Sequence, residues 1–173
     1  VNDAAVPAAW GVYVKGYSTV SFTAAAYATG ASISGYRFVC GTQSQSVSAG
    51  AWTSERVMDS GLLTCRVIVT DSNANASTDT KSVFVHDYMP PSIRASRALR
   101  CDSDGVVNEA GSYIKVYAEV EYYTVGGRNS VVLTAKYRAL GDDGWSEGVA
   151  LAAQAETIID AGMSATTHYE VLI

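Results

Sequence analysis

The sequence predicts an all-β protein that consists of two antiparallel β-sandwiches in series. Three observations predict it: apolar residues alternate with polar ones over short stretches, turn-rich breaks separate these stretches, and no segment shows a helical period of 3.6 residues. The composition agrees, because 11 Tyr, 15 Gly and frequent Val, Ser and Thr are typical of strands and turns. With 173 residues, the chain is long enough for one large domain or two smaller ones.

Charge and hydropathy argue against two kinds of partner. The formal net charge is −5 and the 12 Lys and Arg residues are scattered, which argues against a nucleic-acid surface. No apolar run approaches the roughly 18 residues of a membrane span, so no membrane insertion is predicted. The first ten residues show no signal peptide, and a chain that begins with Val is expected to be a fragment or a processed product.

The first half contains five predicted strands. Apolar residues recur at every second position, which places them on one face of each strand. Breaks at residues 28–32, 41–46 and 59–61 separate these strands. The last of the five strands is TKSVFV, residues 80–85. On the first four strands, the predicted inward-facing residues are Trp10, Val12 and Val14; Val20, Phe22 and Ala24; Tyr36, Phe38 and Cys40; and Leu63, Cys65, Val67 and Val69.

Two consecutive prolines, Pro90 and Pro91, indicate a domain boundary. Proline holds the backbone extended and cannot donate to a β-ladder. We therefore predict a first sandwich over residues 1–88, a stiff linker over residues 89–92 and a second sandwich over residues 93–173.

The strand pattern restarts in the second half. The stretch GVALAAQAETIID, residues 148–160, suits a strand or a short helix, and a strand is favoured. No strand follows the final alternating stretch, so we expect this sandwich to lack its last strand and the native polypeptide to continue. The predicted inward-facing residues are Ile114, Val116, Ala118, Val120 and Tyr122; Val131, Leu133, Ala135 and Tyr137; and Tyr169, Val171 and Ile173.

The stretch DSNANAS, residues 71–77, raises the question of a metal site. An EF-hand loop starting at Asp71 would use Asn73 and Asn75 as ligands, but the Gly and the Glu that such a loop needs at its sixth and twelfth positions are missing. Asn and Asp also favour tight turns, so a hairpin loop is the preferred interpretation. The loop CDSDGVVNEAG, residues 101–111, fails the same template and is interpreted as a turn.

The three cysteines form neither a disulfide framework nor a zinc site at their wide spacing. Cys40 and Cys65 could be bridged if their strands lie side by side, although free, buried thiols are favoured. Cys101 has no evident partner.

No catalytic arrangement is predicted. The two histidines, His86 and His168, lie in different halves and outside any nucleophile or metal-binding motif. Glu119 and Glu121 are two apart on one strand, roughly 6–7 Å from each other, and carboxylates at that range can hydrolyse glycosides. Nothing on a flat outer strand would shield one of them from water, so a solvated face is favoured. We predict no catalytic residue, no metal ligand and no cofactor.

The outer face of this strand is the candidate binding surface. Tyrosines interleaved with charged residues can stack on sugar rings or be buried at a subunit contact. Alternatively, the tyrosines form cross-strand pairs that only stabilise the sheet. Trp52 and Trp145 follow Gly-rich turns and are further candidates, although half-buried packing is the default interpretation for both. Trp10 is assigned to the core. The candidate binding residues are Tyr113, Lys115, Tyr117, Tyr123, Trp52 and Trp145.

Several ordered motifs, taken together, resemble minor structural proteins of long-tailed phages and prophages of Gram-positive bacteria. A typical repeat of that family has a Trp-x-x-Tyr opening strand, a Thr-Asp-Ser hairpin and a Tyr-x-x-Pro exit. The matching residues here are Trp10-Gly11-Val12-Tyr13, Thr70-Asp71-Ser72 and Tyr88-Met89-Pro90-Pro91, and Arg100-Cys101-Asp102-Ser103-Asp104-Gly105 with Glu109-Ala110-Gly111-Ser112-Tyr113 matches the start of the next module. The hairpin departs from the pattern, because Asn73-Ala74-Asn75 replaces the usual Gly.

The resemblance implies tandem immunoglobulin-like or fibronectin-III-like modules in a non-enzymatic part of a phage tail or tail tip. Such a part would be a spacer or scaffold in host attachment, made in the bacterial cytoplasm and located in the virion. Its expected partners are other tail proteins or copies of itself. Two alternatives are a carbohydrate-binding or adhesin module that recognises cell-wall glycans and an accessory domain of a cell-wall hydrolase.

Overall fold

The computed structural model describes residues 2–173, which form 13 β-strands and one 3-10 helix and no α-helix. The all-β prediction is therefore confirmed. No helix in the described part of the chain is long and apolar enough to cross a membrane. The 3-10 helix covers Ala8–Trp10, and the strands are β1 (Tyr13–Val14), β2 (Ser21–Thr23), β3 (Ile33–Cys40), β4 (Gln43–Val47), β5 (Ala51–Thr53), β6 (Gly61–Asp71), β7 (Ala76–His86), β8 (Ser92–Cys101), β9 (Tyr113–Glu121), β10 (Thr134–Ala139), β11 (Val149–Ala150), β12 (Glu156–Asp160) and β13 (Tyr169–Leu172).

The chain divides into two compact units. Unit 1 comprises Val1–Tyr88 and Thr124–Asn129, and unit 2 comprises Met89–Tyr123 and Ser130–Ile173. The short segment Thr124–Asn129 belongs to unit 1 because Val125 is buried there in a cluster with Val6 and Val14.

Unit 1 contains a five-stranded sheet in the order β1-β7-β6-β3-β4 and a two-stranded sheet, β2-β5. Phe22 and Trp52 of the small sheet pack against residues of the large one, so the sheets lie face to face as in a β-sandwich. The main buried cluster consists of Val20, Cys40, Val57, Leu63, Cys65 and Val85.

The period of two predicted for the central strands of unit 1 is confirmed. On β3, Phe38 and Cys40 are buried whereas Arg37 is exposed, and on β6, Leu63 and Cys65 are buried. All three cysteines are free and buried, as favoured from the sequence.

Unit 2 contains two three-stranded sheets, in the orders β12-β9-β8 and β11-β10-β13. Side chains from both sheets share one core, which again is the arrangement of a β-sandwich. Four of the five residues predicted to face inward on β9 are buried: Ile114, Val116, Ala118 and Val120. The fifth, Tyr122, follows the end of β9 and is half-buried. Leu133 and Ala135 are buried as well. The core consists mainly of Ile114, Val116, Ala118, Val120, Leu133, Ala135, Ile159 and Met163.

Two strands differ from the sequence analysis because they are polar edge strands. The predicted break at residues 41–46 is wrong, since Gln43–Val47 form β4 and pair with β3. The strand β8, Ser92–Cys101, had not been predicted at all. Both strands are terminal in their sheets and mostly exposed, so neither has the apolar alternation that reveals a half-buried strand.

Three further departures concern local geometry. The stretch 148–160 forms two strands of different sheets, β11 and β12, instead of one, and Gln154 between them has a positive φ of 59°. Trp10 lies in the 3-10 helix and not in a strand, although it still packs against a buried cluster of unit 1. Finally, β1 runs parallel to β7, while every other strand pair in the described residues is antiparallel.

Candidate binding face on the outer side of β9

The candidate binding residues on β9 lie at the centre of a three-stranded sheet. The β-register places Arg97 of β8, Tyr117 of β9 and Glu156 of β12 side by side in one row. The next row contains Leu99, Lys115 and Ile158. Because residues directly opposite each other share a side of the sheet, these two rows form one surface, which we name the β9 face.

The charges of the β9 face are paired with each other. The guanidinium Nη2 of Arg97 lies 2.5 Å from Oε1 of Glu156, and Nζ of Lys115 lies 3.5 Å from the other carboxylate oxygen. The hydrogen bond from Arg97, with a further contribution from Lys115, lowers the pKa of the Glu156 carboxyl. One carboxylate thus binds a cation from each of the two other strands.

The ring of Tyr117 is also occupied. The guanidinium carbon of Arg97 lies 5.3 Å from the centroid of this ring, within the range of a cation–π contact. Arg97 therefore contacts both other residues of its row, Tyr117 and Glu156. Its guanidinium partly covers the face of the Tyr117 ring that could stack on a sugar.

The remaining residues of the outer surface have separate positions. Tyr113 is half-buried at the start of β9, in a row with Cys101 and Asp160. Tyr123 lies beyond the end of β9 and is 36% exposed. Glu121 forms an ion pair with Arg94 of β8. The β9 face itself therefore contains two of the predicted binding residues, Lys115 and Tyr117.

Trp145 lies in unit 2, in the loop between β10 and β11. It follows β10 in the chain, and the guanidinium carbon of Arg138 lies 4.4 Å from the centroid of its ring. Arg138 also donates from Nε to Oε2 of Glu170 on β13 at 2.7 Å. The arrangement repeats that of the β9 face: an arginine joins an aromatic ring and a glutamate of its own unit.

Trp52 lies on β5 in unit 1, where it has the half-buried packing that was its default interpretation. Its ring centroid lies 5.3 Å from that of Phe22 and 6.2 Å from that of Phe38. These three rings form an aromatic cluster between the two sheets of the unit. Trp52 does not belong to the sheet that carries Tyr117.

The hairpin loop between β6 and β7 is held by Asp71. Its Oδ1 accepts hydrogen bonds from the backbone N–H of Asn73 and of Asn75, and its Oδ2 accepts one from the Asn75 amide. The bond from the Asn75 side chain is the main reason why the pKa of Asp71 is lowered. The hairpin interpretation is confirmed, because β6 and β7 pair directly on either side of this loop.

The second acidic loop is built in the same way. Oδ1 of Asp102 accepts from the backbone N–H of Asp104 and of Val106, the same offsets of two and four residues as at Asp71. Within residues 2–173, no three His, Cys, Asp or Glu side chains are grouped so that they could hold a metal ion. The two histidines belong to different units, His86 to unit 1 and His168 to unit 2.

The residues that the sequence analysis missed are Arg97 and Glu156. Both lie on strands that had not been recognised as neighbours of β9. The side chains of β8 from Ile93 to Leu99 are exposed on both sides of the strand, so no alternation of burial marked it in the sequence.

No protein-family model matches this sequence, and no curated protein shows significant similarity to it. The interpretation of the molecule therefore depends on the geometry of the two units.

Proposed function

We propose that the chain is a non-enzymatic structural module of a phage tail or tail-tip protein, acting as a spacer or scaffold in host attachment. In this proposal, units 1 and 2 are immunoglobulin-like or fibronectin-III-like sandwiches. They correspond to the ranges 1–88 and 93–173 expected from the sequence, except that Thr124–Asn129 belongs to unit 1 and the expected linker, residues 89–92, belongs to unit 2. The partners are other tail proteins or further copies of the chain. The protein is made in the bacterial cytoplasm and becomes part of the virion.

The observation that carries the proposal is the internal pairing of the β9 face. Arg97 contacts both Glu156 and Tyr117, so the polar groups of this surface bind neighbouring strands of the same sheet. Arg138 does the same with Glu170 and Trp145. Single exposed ion pairs add little stability. Their effect here is to fix side chains across strands, which suits a module whose task is to keep its shape.

The experiment is to look for the protein in phage particles. Tailed particles induced from the bacterium that encodes the chain are purified and probed with gold-labelled antibodies against the chain. We expect label on the tail or its tip. Intact tailed particles without the protein, by labelling and by mass spectrometry, would contradict the proposal.

Glycan recognition is the second candidate, and one observation favours it. A groove of about 610 Å³ in unit 1 is lined by residues 23–29, by Val67 and Val69 of β6 and by Asp79 of β7. Tyr27 at this groove is 93% exposed and available for stacking on a sugar ring.

Sedimentation with purified Gram-positive cell walls separates the two candidates. A spacer stays in the supernatant. A glycan-binding module pellets with the walls and loses this property on Tyr27→Ala, if the groove binds, or on Tyr117→Ala, if the β9 face binds. Leu62→Ala is the matched control, because Leu62 is 73% exposed on β6 outside the groove lining.

A further inference from the structure

The thiols of Cys40 and Cys65 face each other in the core of unit 1. The two residues are directly opposite in the register of β3 and β6, and their sulfur atoms lie 3.4 Å apart. Both side chains are buried, with exposed fractions of 2% and 3%. No other residue separates the two sulfurs, which form a hydrogen bond with each other.

The type of strand pair at this position suits a covalent bond. The backbone N–H of Gly41 donates to the carbonyl of Thr64, so Gly41 and Thr64 form a hydrogen-bonded pair. The pairs alternate along an antiparallel ladder, so Cys40 and Cys65 are a non-hydrogen-bonded pair, in which Cα atoms are about 4.5 Å apart and side chains are closest. That separation lies within the range of about 4.4–6.8 Å that disulfides span.

We propose that Cys40 and Cys65 form a cross-strand disulfide when the chain folds in an oxidising environment, whereas they remain thiols when it folds in the reducing bacterial cytoplasm. The reaction is thiol–disulfide exchange with a small-molecule disulfide such as oxidised glutathione. One cysteine thiolate attacks the small disulfide and releases one reduced thiol. The second cysteine then attacks the mixed disulfide and releases the other. The two cysteines lose two protons and two electrons, and the small disulfide is reduced to two thiols.

The bond forms during folding rather than in the finished fold. Burial raises the pKa of Cys40 to about 12, and the adjacent Cys65 sulfur and the Asp59 carboxylate contribute to this shift. Little Cys40 thiolate therefore exists at neutral pH, and burial shields both sulfurs from an oxidant in solution. In the unfolded chain both thiols are accessible, and pairing of β3 with β6 then brings them together.

Peptide mapping can identify the bridge, because trypsin cleaves the chain so that the three cysteines lie in separate peptides, residues 38–56, 57–66 and 101–115. The full chain is unfolded with reductant and refolded either with a mixture of reduced and oxidised glutathione or with reductant alone. Free thiols are then alkylated in denaturant and the digest is analysed by mass spectrometry. We expect peptide 38–56 linked to 57–66 after oxidative refolding, with the Cys101 peptide alkylated. Alkylation of the first two peptides, glutathione on either of them, or a link to the third would overturn the proposal.

Thermal unfolding gives a second readout. The cysteines are 25 residues apart, and closing a loop of this size should raise the unfolding midpoint of unit 1 by roughly 10–20 °C. Cys101→Ser should show the same shift between oxidised and reduced samples, and Cys65→Ser should show none. If Cys65→Ser does not fold, wild type and Cys101→Ser still decide the question, because an oxidised form with an equal or lower midpoint would contradict a bridge in native geometry.

Discussion

Replacing Phe38 with Ala tests the packing between the two sheets of unit 1. Phe38 is fully buried, and its ring centroid lies 5.4 Å from that of Phe22 and 6.2 Å from that of Trp52. Truncating a buried phenylalanine costs about 3–5 kcal/mol of unfolding free energy. A whole domain has only about 5–15 kcal/mol, so we expect the variant to lose a large share of the stability of unit 1.

Phe84→Ala is the matched control, since Phe84 lies on β7 of the same sheet but is 56% exposed. The same atoms are removed from the outer side, so we expect a loss of about 1 kcal/mol or less. The assay is urea unfolding of the full chain, followed by tryptophan fluorescence, to which Trp10 and Trp52 contribute from unit 1 and Trp145 from unit 2. Equal losses in the two variants would refute the assignment of inner and outer faces.

Two further substitutions test local geometry. Gly41→Ala should cost about 2–4 kcal/mol, because Gly41 has a positive φ and an added Cβ would lie 2.7 Å from Cδ1 of Leu63. Gly16 also has a positive φ but open space around it, so Gly16→Ala should cost about 1 kcal/mol. Equal urea midpoints for the two variants would contradict the contact with Leu63. The folded-state pKa of Asp71 is lowered, so its carboxylate stabilises the fold above the ordinary value of 3.8, and this stability is lost as the pH falls through the lower folded value. Asp71→Asn should therefore destabilise the chain at pH 7 and lose less stability than wild type between pH 7 and pH 3 in urea titrations, and parallel curves would show that the carboxylate does not hold the loop.

The sequence predicted the buried strands of this molecule better than its polar ones. On β9, the alternation from Ile114 to Val120 is unbroken, so the inward face could be assigned residue by residue. On β4 and β8, most side chains are exposed on both sides of the strand, so polar and apolar residues do not alternate with a period of two. The neighbours of β9 are β8 and β12, and β12 lies far from β9 in the sequence. No local sequence pattern shows which strands pair.

The candidate surface was predicted in part for the same reason. Tyr117 and Lys115 could be placed on one face from their spacing alone. Their contacts with Arg97 and Glu156 depend on the register of β8 and β12, which a single sequence does not reveal. Of the six predicted residues, Tyr113, Lys115 and Tyr117 lie on β9 and Trp52 lies on β5, whereas Tyr123 and Trp145 lie outside the strands. The interpretation as cross-strand contacts could be weighed only when the partners on β8 and β12 were known.

The most direct test of the account is the pKa of Glu156, measured by NMR titration of its side-chain carbon in the full chain. Arg97 binds this carboxylate as part of the sheet surface. We expect a pKa below the ordinary value of a glutamate, and we expect it to rise on Arg97→Gln but not on Arg56→Gln, because Arg56 pairs with Asp3 in unit 1. An ordinary pKa that is insensitive to Arg97→Gln would mean that the charges of the β9 face are free to bind a ligand, and would contradict the account.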